Sequence, residues 1–210
     1  MPDWFHLAKV GTTLFAIVNP LGVAPLFASL SAGLSKKARI REARVAGTTV
    51  AGVLVFSVIG GRRLLDLFGI SLGAFSVAGG ILLLLMGVDM VRARLSELKH
   101  RPEEAAEAES KESFAVVPVG IPMLAGPGSI STAILFSAQA EPIIDKAILV
   151  GICVGLGFVT TGVLTFAAGL QARLGRTGIN VLVRVMGILL VALAVELMAR
   201  GIVQLVPGLR

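Results

Sequence analysis

Long apolar stretches, separated by short polar connections, follow one another along the whole chain. An apolar stretch of about 20 residues is long enough to cross a bilayer as a helix. The pattern contains six such stretches, at residues 7–33, 42–60, 68–91, 114–138, 147–169 and 180–203. It therefore predicts an all-α integral membrane protein with six transmembrane helices.

The composition agrees with this class, because 55% of the residues are hydrophobic and 15% are charged, with a mean hydropathy of +0.90. A soluble domain of 210 residues can bury one such stretch at its centre, but not six. The single cysteine, Cys153, leaves no partner for an intrachain disulfide. The sequence suggests no metal and no cofactor other than a coupling ion, and it does not distinguish H+ from Na+.

Two of the six stretches are interrupted, at corresponding places. Asn19-Pro20 interrupts the first stretch, Gly126-Pro127 interrupts the fourth, and the two prolines lie 107 residues apart. Both stretches are also longer than a helix needs to cross, which is typical of broken or tilted helices. Paired interruptions in the two halves of a membrane protein point to the binding site of a transporter.

The same interval recurs further along the chain. A shift of 107 residues carries Gly80-Ile81-Leu82-Leu83 onto Gly187-Ile188-Leu189-Leu190, and Asp89 onto Glu196. One interval that aligns a break, an apolar run and an acid indicates an internal repeat.

The repeat divides the chain into residues 1–91, a charged connector at 92–113, and residues 114–210. Each half carries three stretches, an odd number, so the second half must enter the membrane in the opposite sense. The halves are therefore predicted to be inverted three-helix repeats, with the first and fourth helices broken near the midplane.

Basic residues are distributed unevenly between the two sides. The connections after the first, third and fifth stretches hold 12 of the 19 Lys and Arg residues, the opposite side holds six, and Arg184 lies inside the sixth stretch. Connections rich in Lys and Arg stay in the cytoplasm. We therefore expect a multi-pass protein of the cell inner membrane with both termini outside and the 92–113 connector inside. Since the basic residues flank membrane spans, the lipid bilayer and not a nucleic acid is the expected partner.

The breaks carry the candidate chemistry. Asn is favoured as an N-cap and Pro at the first helical position, so Asn19-Pro20 and Gly126-Pro127 predict new helix starts inside two spans. The spans run in opposite directions, so both positive helix ends meet near the midplane, where they suit an anion. No acid lies near the middle of a span, so we expect a substrate carboxylate there. The candidate binding residues are Asn19, Pro20, Gly22, Gly126, Pro127, Gly128, Ser129, Ser131 and Thr132. The alternative is a pair of proline kinks that only shape packing.

Two acids and one arginine are candidates for gates. Asp89 and Glu196 lie near the ends of the third and sixth stretches, on opposite sides. Arg184 lies on the same side as Asp89, and Arg62 or Arg63 on the same side as Glu196. Ion pairs that close a gate and simple solvated caps both fit these positions.

Three segments of the chain resemble one known family. The segments are Asn19-Pro20-Leu21-Gly22-Val23-Ala24-Pro25-Leu26-Phe27, the run from Val117-Pro118 through Ile121-Pro122 to Thr132, and the run from Ala78 to Met90. They are similar to signatures of the MarC/SnatA family of bacterial and archaeal membrane proteins. The resemblance covers nearly the whole chain, and the two Pro-Gly segments are its specific part.

The resemblance implies a six-span inner-membrane protein whose characterised relatives transport small neutral amino acids. We therefore expect a secondary transporter of a small zwitterionic substrate, glycine-like or alanine-like, that works by alternating access. The alternatives are a channel or exporter for other small polar metabolites, and an intramembrane enzyme. An enzyme needs a base, nucleophile or metal set inside the spans, and the sequence offers none. Uptake against export, and the oligomeric state, stay open.

Overall fold

The structure, a computed structural model, describes residues 4–92, 114–140 and 143–206. These residues form helices joined by short turns and contain no strand. The helices are α1 Trp4–Val18, α2 Pro20–Leu30, α3 Lys36–Leu67, α4 Leu72–Val91, α5 Ala115–Leu124, α6 Pro127–Gln139, α7 Ile143–Thr165 and α8 Ala167–Leu205. The predicted connector lies outside the described residues, apart from Arg92.

Five helical segments are long and apolar enough to cross a membrane: Leu7–Leu30, Lys36–Leu67, Leu72–Val91, Ile144–Thr165 and Thr177–Leu205. The pair α5 and α6, bent by 60°, makes a sixth if it is counted as one span. The prediction of an all-α integral membrane protein is confirmed.

Two helices extend further than the apolar pattern predicts. The Ser35 side chain accepts a hydrogen bond from the Ala38 N–H at 3.2 Å, so α3 begins at Lys36, before its apolar part. At the other end of the chain, α8 begins at Ala167 and is interrupted at Gly175, whose φ of 63° favours glycine. Charged residues do not end a helix, and for this reason hydropathy alone placed both starts too late.

Helix contacts define two sides of the molecule. What we call the terminal side holds the start of α1, the α3–α4 turn, the end of α6 and the end of α8. There Gly73 packs on Gly201, and the Ser137 hydroxyl donates to the Val58 carbonyl at 2.6 Å. The opposite side, called the connector side, holds the α2–α3 turn, the end of α4 and the start of α5. On that side the rings of Phe27 and Phe114 lie 5.7 Å apart.

Small residues allow α4 and α8 to pack very closely. Gly73, Gly80 and Gly87 recur every seven residues on α4, and they face Gly201, Ala194 and Gly187 on α8. A Cβ added to Gly87 would lie 2.9 Å from the Gly187 carbonyl oxygen, and one added to Gly187 would lie 2.9 Å from the Gly87 carbonyl oxygen. Seven residues are about two helical turns, so these positions form one seam on each helix.

The pair α3 and α7 shows a second reciprocal crossing. A side chain at Gly47 would collide with Thr161 and with the Gly157 carbonyl, and a side chain at Gly157 would collide with Ala51 and the Gly47 carbonyl. A shift of 110 residues, Gly47 to Gly157 and Ala51 to Thr161, exchanges these contacts. Reciprocal crossings are what an inverted repeat requires. The inverted repeat itself, with the boundaries given above, stays a prediction.

Candidate functional site

The first break is capped by its own asparagine. Asn19 adopts the left-handed conformation (φ 50°, ψ 54°) and its side-chain Oδ1 accepts the Gly22 N–H at 3.0 Å. The Asn19 carbonyl oxygen also accepts from the N–H groups of Gly22 at 3.1 Å and Val23 at 3.3 Å. The predicted helix start, with Asn19 as N-cap and Pro20 as the first residue, is therefore present. The N–H groups of Gly22 and Val23 therefore have acceptors inside the chain.

A methionine covers this break from the connector side. The Asn19 Nδ2 donates to the Met90 sulfur at 3.3 Å, and both residues are almost completely buried. A Cβ on Gly22 would collide with the Asn19 amide and would lie 2.7 Å from the Met90 methyl carbon. Asn19, Gly22 and Met90 thus form a closed contact between α2 and the end of α4.

The second break is more extensive than the sequence predicts. Val117 and Ile121 have extended backbone angles, and each precedes a proline, Pro118 or Pro122. The residue before proline is biased away from the helical region. The remaining turns of α5 are wide, because the N–H groups of Val119 and Ala125 bond to carbonyls five residues earlier, at 3.2 Å and 2.8 Å. Such π-type turns are frequent at functional sites.

The start of α6 has no side-chain cap. Gly126 is in an extended conformation, Pro127 follows as the first helical residue, and no side chain accepts from the helix end. The N–H groups of Gly128 and Ser129 have no carbonyl one turn earlier within α6. Gly126 also allows a close approach, since a side chain there would collide with the Pro122 carbonyl.

These open N–H groups belong to residues that line a cavity of about 40 Å³, the break cavity. Its wall is formed by the break itself, by the last turn of α5, by α4 and by Ile17 from α1. The lining residues are Ile17, Leu82, Leu83, Met86, Pro122, Met123, Leu124, Gly126, Pro127, Gly128 and Ser129. One water in the liquid takes about 30 Å³, so the break cavity is small in this conformation.

Three hydroxyls follow in the first two turns of α6, and each donates to a backbone carbonyl. Ser129 donates to Gly126 at 2.9 Å, Ser131 to Pro127 at 2.7 Å, and Thr132 to Gly128 at 2.8 Å. All three residues are buried. A hydroxyl whose proton is engaged keeps lone pairs that can accept. These groups therefore suit a donor such as an ammonium better than a carboxylate.

A larger cavity, the terminal-side cavity, has a volume of about 250 Å³. It lies between α1, α6 and α8, and its rim carries exposed charged residues. The lining residues are Lys9, Thr13, Ile17, Thr132, Leu135, Phe136, Leu193, Glu196, Leu197 and Arg200. Ile17 lines both cavities and therefore separates them.

The predicted binding residues fall into separate groups. Gly126, Pro127, Gly128 and Ser129 line the break cavity, and Thr132 lines the terminal-side cavity. Ser131 packs on Gly79 of α4. Asn19, Pro20 and Gly22 line neither cavity. The two breaks are neighbours through Ile17, which lies two residues before Asn19 on α1.

Of the two alternatives for Glu196, an ion pair across helices that closes a gate is not formed in this conformation. Glu196 bonds to Arg200 on its own helix, at 2.8 Å, and not to Arg62 or Arg63. Arg62 bonds instead to Asp66, at 3.2 Å. Both pairs are four residues apart, a spacing that places side chains together on a helix surface and needs no other helix. The spacing of both pairs is visible in the sequence.

The other proposed gate is not formed in this conformation. Asp89 and Arg184 are both exposed, and neither has an ion pair within 4.0 Å among the residues that the structure describes. The sequence pattern did not single out Glu42, which is the one buried acid in the described parts of the chain. Its carboxylate accepts from Arg41 at 3.2 Å near the connector-side end of α3. The signal was an acid inside a run of basic residues.

No three His, Cys, Asp or Glu side chains lie close enough together to hold a metal ion in the described ranges. The polar groups of the break are instead backbone amides, carbonyls and hydroxyls. Such an arrangement can hold a small ligand that carries both an anionic and a donor group.

The long apolar helices and the broken span define an α-helical integral membrane protein of the multi-pass class. Residues 4–206 match the family model of the MarC family integral membrane proteins. The chain therefore belongs to the MarC family, as the resemblance in its sequence predicted.

Relatives of similar length are found in bacteria and archaea. The chain is 38% identical to the UPF0056 membrane protein YhcE of Escherichia coli (strain K12) over 199 residues, covering 93% of this chain and 91% of the relative. It is 40% identical to the UPF0056 membrane protein MJ1677 of Methanocaldococcus jannaschii, covering 91% and 93%. It is 34% identical to the UPF0056 membrane protein PH0760 of Pyrococcus horikoshii, covering 91% of each. No solved structure matches the chain significantly.

Proposed function

We propose that this protein is a secondary transporter of small neutral amino acids, glycine-like or alanine-like, across the inner membrane. The observation that carries the proposal is the uncapped start of α6, where the N–H groups of Gly128 and Ser129 belong to residues lining the break cavity. A helix N-terminus carries about half a positive charge and binds anions through such amides.

The composition of the break cavity indicates what the anion belongs to. Its lining contains no Asp, Glu, Lys, Arg or His, so a bound ligand brings its own charges. A carboxylate placed on the α6 amides leaves the adjacent ammonium to meet carbonyl and hydroxyl oxygens, of which Ser129 supplies one. The surrounding Leu83, Met86 and Ile17 side chains are apolar and favour a small apolar substituent. A glycine-like or alanine-like zwitterion satisfies these conditions.

The arrangement of the two cavities supports alternating access. Ile17 lies between the terminal-side cavity and the break cavity, whereas the Asn19–Met90 contact lies on the connector side of the first break. In this conformation the break cavity is smaller than an amino acid, so the residues around the break rearrange for substrate to enter. Exchange of conformation between two inverted halves would then open the connector side.

We assign the protein a transport role and not an enzymatic one. The break cavity is lined by no His, Cys, Asp or Glu that could serve as a base, a nucleophile or a metal ligand. Counterflow in proteoliposomes tests this assignment. Vesicles loaded with unlabelled alanine should accumulate labelled glycine transiently, as a carrier does. A flux that does not saturate and shows no counterflow would indicate a channel, and the absence of alanine and glycine binding would overturn the substrate class.

We further propose that the connector side is cytoplasmic, in line with its basic residues. With Cys153 replaced by Ala, a cysteine at Ala32, in the α2–α3 turn, should be protected from an impermeant thiol reagent in intact cells. A cysteine at Asp66, near the α3–α4 turn, should react. The reverse pattern would place both termini inside.

A further inference from the structure

The terminal-side cavity carries charged groups that the transport proposal does not use. Lys9 on α1 and the pair Glu196–Arg200 on α8 all line its wall. The floor is apolar and includes Ile17, which separates this cavity from the break cavity. With a volume of about 250 Å³, the cavity holds several times the space of one water, about 30 Å³. A small amino acid fits there together with part of its hydration shell.

The charges in this cavity do not balance. Arg200 donates to one Glu196 oxygen through Nε at 2.8 Å, and its Nη2 lies 2.8 Å from the same oxygen, so these two charges offset each other. Lys9 has no carboxylate within 4.0 Å among the described residues. The described lining therefore carries one net positive charge, from Lys9, and also contains the Glu196 carboxylate. The similar pair Arg62–Asp66 has the same helical spacing but lines neither cavity.

We propose that the terminal-side cavity is an entrance site that binds the zwitterionic substrate before it passes Ile17. Lys9 and Arg200 attract the carboxylate, and Glu196 accepts the ammonium. The apolar wall from Leu193 and Leu197 leaves larger polar side chains without partners. This inference rests on the transport function proposed above, and it assigns a second, outer site to the same substrate.

The electrostatics of the cavity can be measured without transport. Thr13 lines the cavity, so Thr13→Cys in a Cys153→Ala background is a reporter there. In purified protein, an anionic methanethiosulfonate should modify this cysteine several-fold faster than a cationic one of similar size. Lys9→Gln or Arg200→Gln should abolish the preference, Glu196→Gln should increase it, and Arg62→Gln should leave it unchanged. High salt should reduce it, because exposed charges are screened.

The substrate is tested in the same protein. Alanine should slow modification of the Thr13→Cys reporter, and Lys9→Gln should raise the alanine concentration needed by several-fold. In proteoliposomes, Lys9→Gln should raise KM for substrate offered at the terminal side and leave kcat unchanged, whereas Arg62→Gln should change neither. Size-exclusion chromatography establishes that each variant is folded.

The outcomes separate the two proposals. If the unsubstituted protein neither binds nor transports alanine, the transport function itself is wrong. If it transports alanine but the Lys9 and Arg200 variants show normal reagent preference and normal KM, the entrance site is wrong and the transport function stands. A reagent preference without alanine protection also overturns the entrance site, because the cavity would then attract anions without binding the substrate.

Discussion

The break before α2 and the break before α6 share one sequence logic, a capping residue followed by proline, but they differ in what satisfies the helix end. In the first break, Asn19 supplies a side-chain cap and Met90 closes over it. In the second, Gly126 supplies no side chain, and the residues with open amides line a cavity. The first break is thus closed by its own residues, whereas the start of α6 has no side-chain cap.

Backbone hydrogen bonding at each break also explains why the two breaks bend the chain differently. Asn19 keeps a backbone hydrogen bond to Phe15, at 2.9 Å, so α1 and α2 form one candidate span, Leu7–Leu30. Three prolines in ten residues, Pro118, Pro122 and Pro127, remove donors from the second break. The 60° bend between α5 and α6 follows from these missing donors and from the extended residues that precede two of the prolines.

The largest difference should come from adding a methyl group at each break. Gly126→Ala forces a collision with a backbone carbonyl, that of Pro122, which cannot move without reshaping the break. We expect it to weaken alanine binding by about 1–3 kcal/mol, the usual cost of overpacking. Gly22→Ala meets the Asn19 amide and the Met90 methyl carbon, which line neither cavity, so its effect on alanine binding should be smaller.

Isothermal titration of the purified variants with alanine measures this contrast. Gly33→Ala is the matched control, because an added Cβ there meets nothing within 4 Å. Equal losses for Gly22→Ala and Gly126→Ala would show that the two breaks are not different in function.

The next effect concerns the cap of the first break. Asn19→Ala should destabilise the protein by about 0.5–2 kcal/mol, the usual value of an N-cap, and the midpoint of thermal unfolding in detergent should fall accordingly. Asn19→Gly should cost less, because glycine adopts the left-handed conformation readily. Alanine affinity should change less than stability does, since Asn19 lines neither cavity. A loss of affinity larger than the loss of stability would place Asn19 on the substrate.

A smaller effect is expected for Pro127→Ala. The sequence alone predicts that this substitution lets the span close its backbone hydrogen bonds. The extended residues Val117 and Ile121 keep the span broken, however, whatever residue stands at position 127. Transport should therefore fall by less than tenfold, which corresponds to less than about 1.4 kcal/mol. If counterflow is abolished while the protein still inserts, Pro127 alone holds the break.

The smallest effect separates two serines on α6. Ser129→Ala removes a hydroxyl from the break cavity and should weaken alanine binding by about 0.5–1.5 kcal/mol, the net value of a hydrogen bond. Ser131→Ala removes a hydroxyl that packs on Gly79 outside that cavity, so binding should be almost unchanged. Titration with alanine distinguishes them, and a larger effect at Ser131 would move the ligand away from the start of α6.

Much of the fold follows from local patterns in the sequence. The length of the apolar stretches predicts the membrane class. The Asn-Pro and Gly-Pro pairs predict both helix starts inside the spans, because capping and the missing proline donor act within a few residues. The close packing of α4 on α8 also has a sequence signal, the seven-residue spacing of Gly73, Gly80 and Gly87. The spacing does not identify the partner helix, however, because it does not say which helix lies beside α4.

The site was less predictable, for physical reasons. The hydrogen bond from the Asn19 amide to the Met90 sulfur joins residues that are far apart in the chain, so no local pattern predicts it. That Ile17 separates two cavities depends on how three helices pack. The pairing of Glu196 with Arg200, by contrast, is local and could have been predicted from helical spacing.

The open end of α6 is proposed to bind the carboxylate of the substrate. The most direct measurement is competition of alanine and of alaninamide against labelled glycine on the purified protein. Alaninamide keeps the ammonium and the methyl group but lacks the anion. Alanine should displace glycine, and alaninamide should require at least about tenfold higher concentration, a difference of about 1.4 kcal/mol. If alaninamide competes as well as alanine, the α6 end is not an anion site.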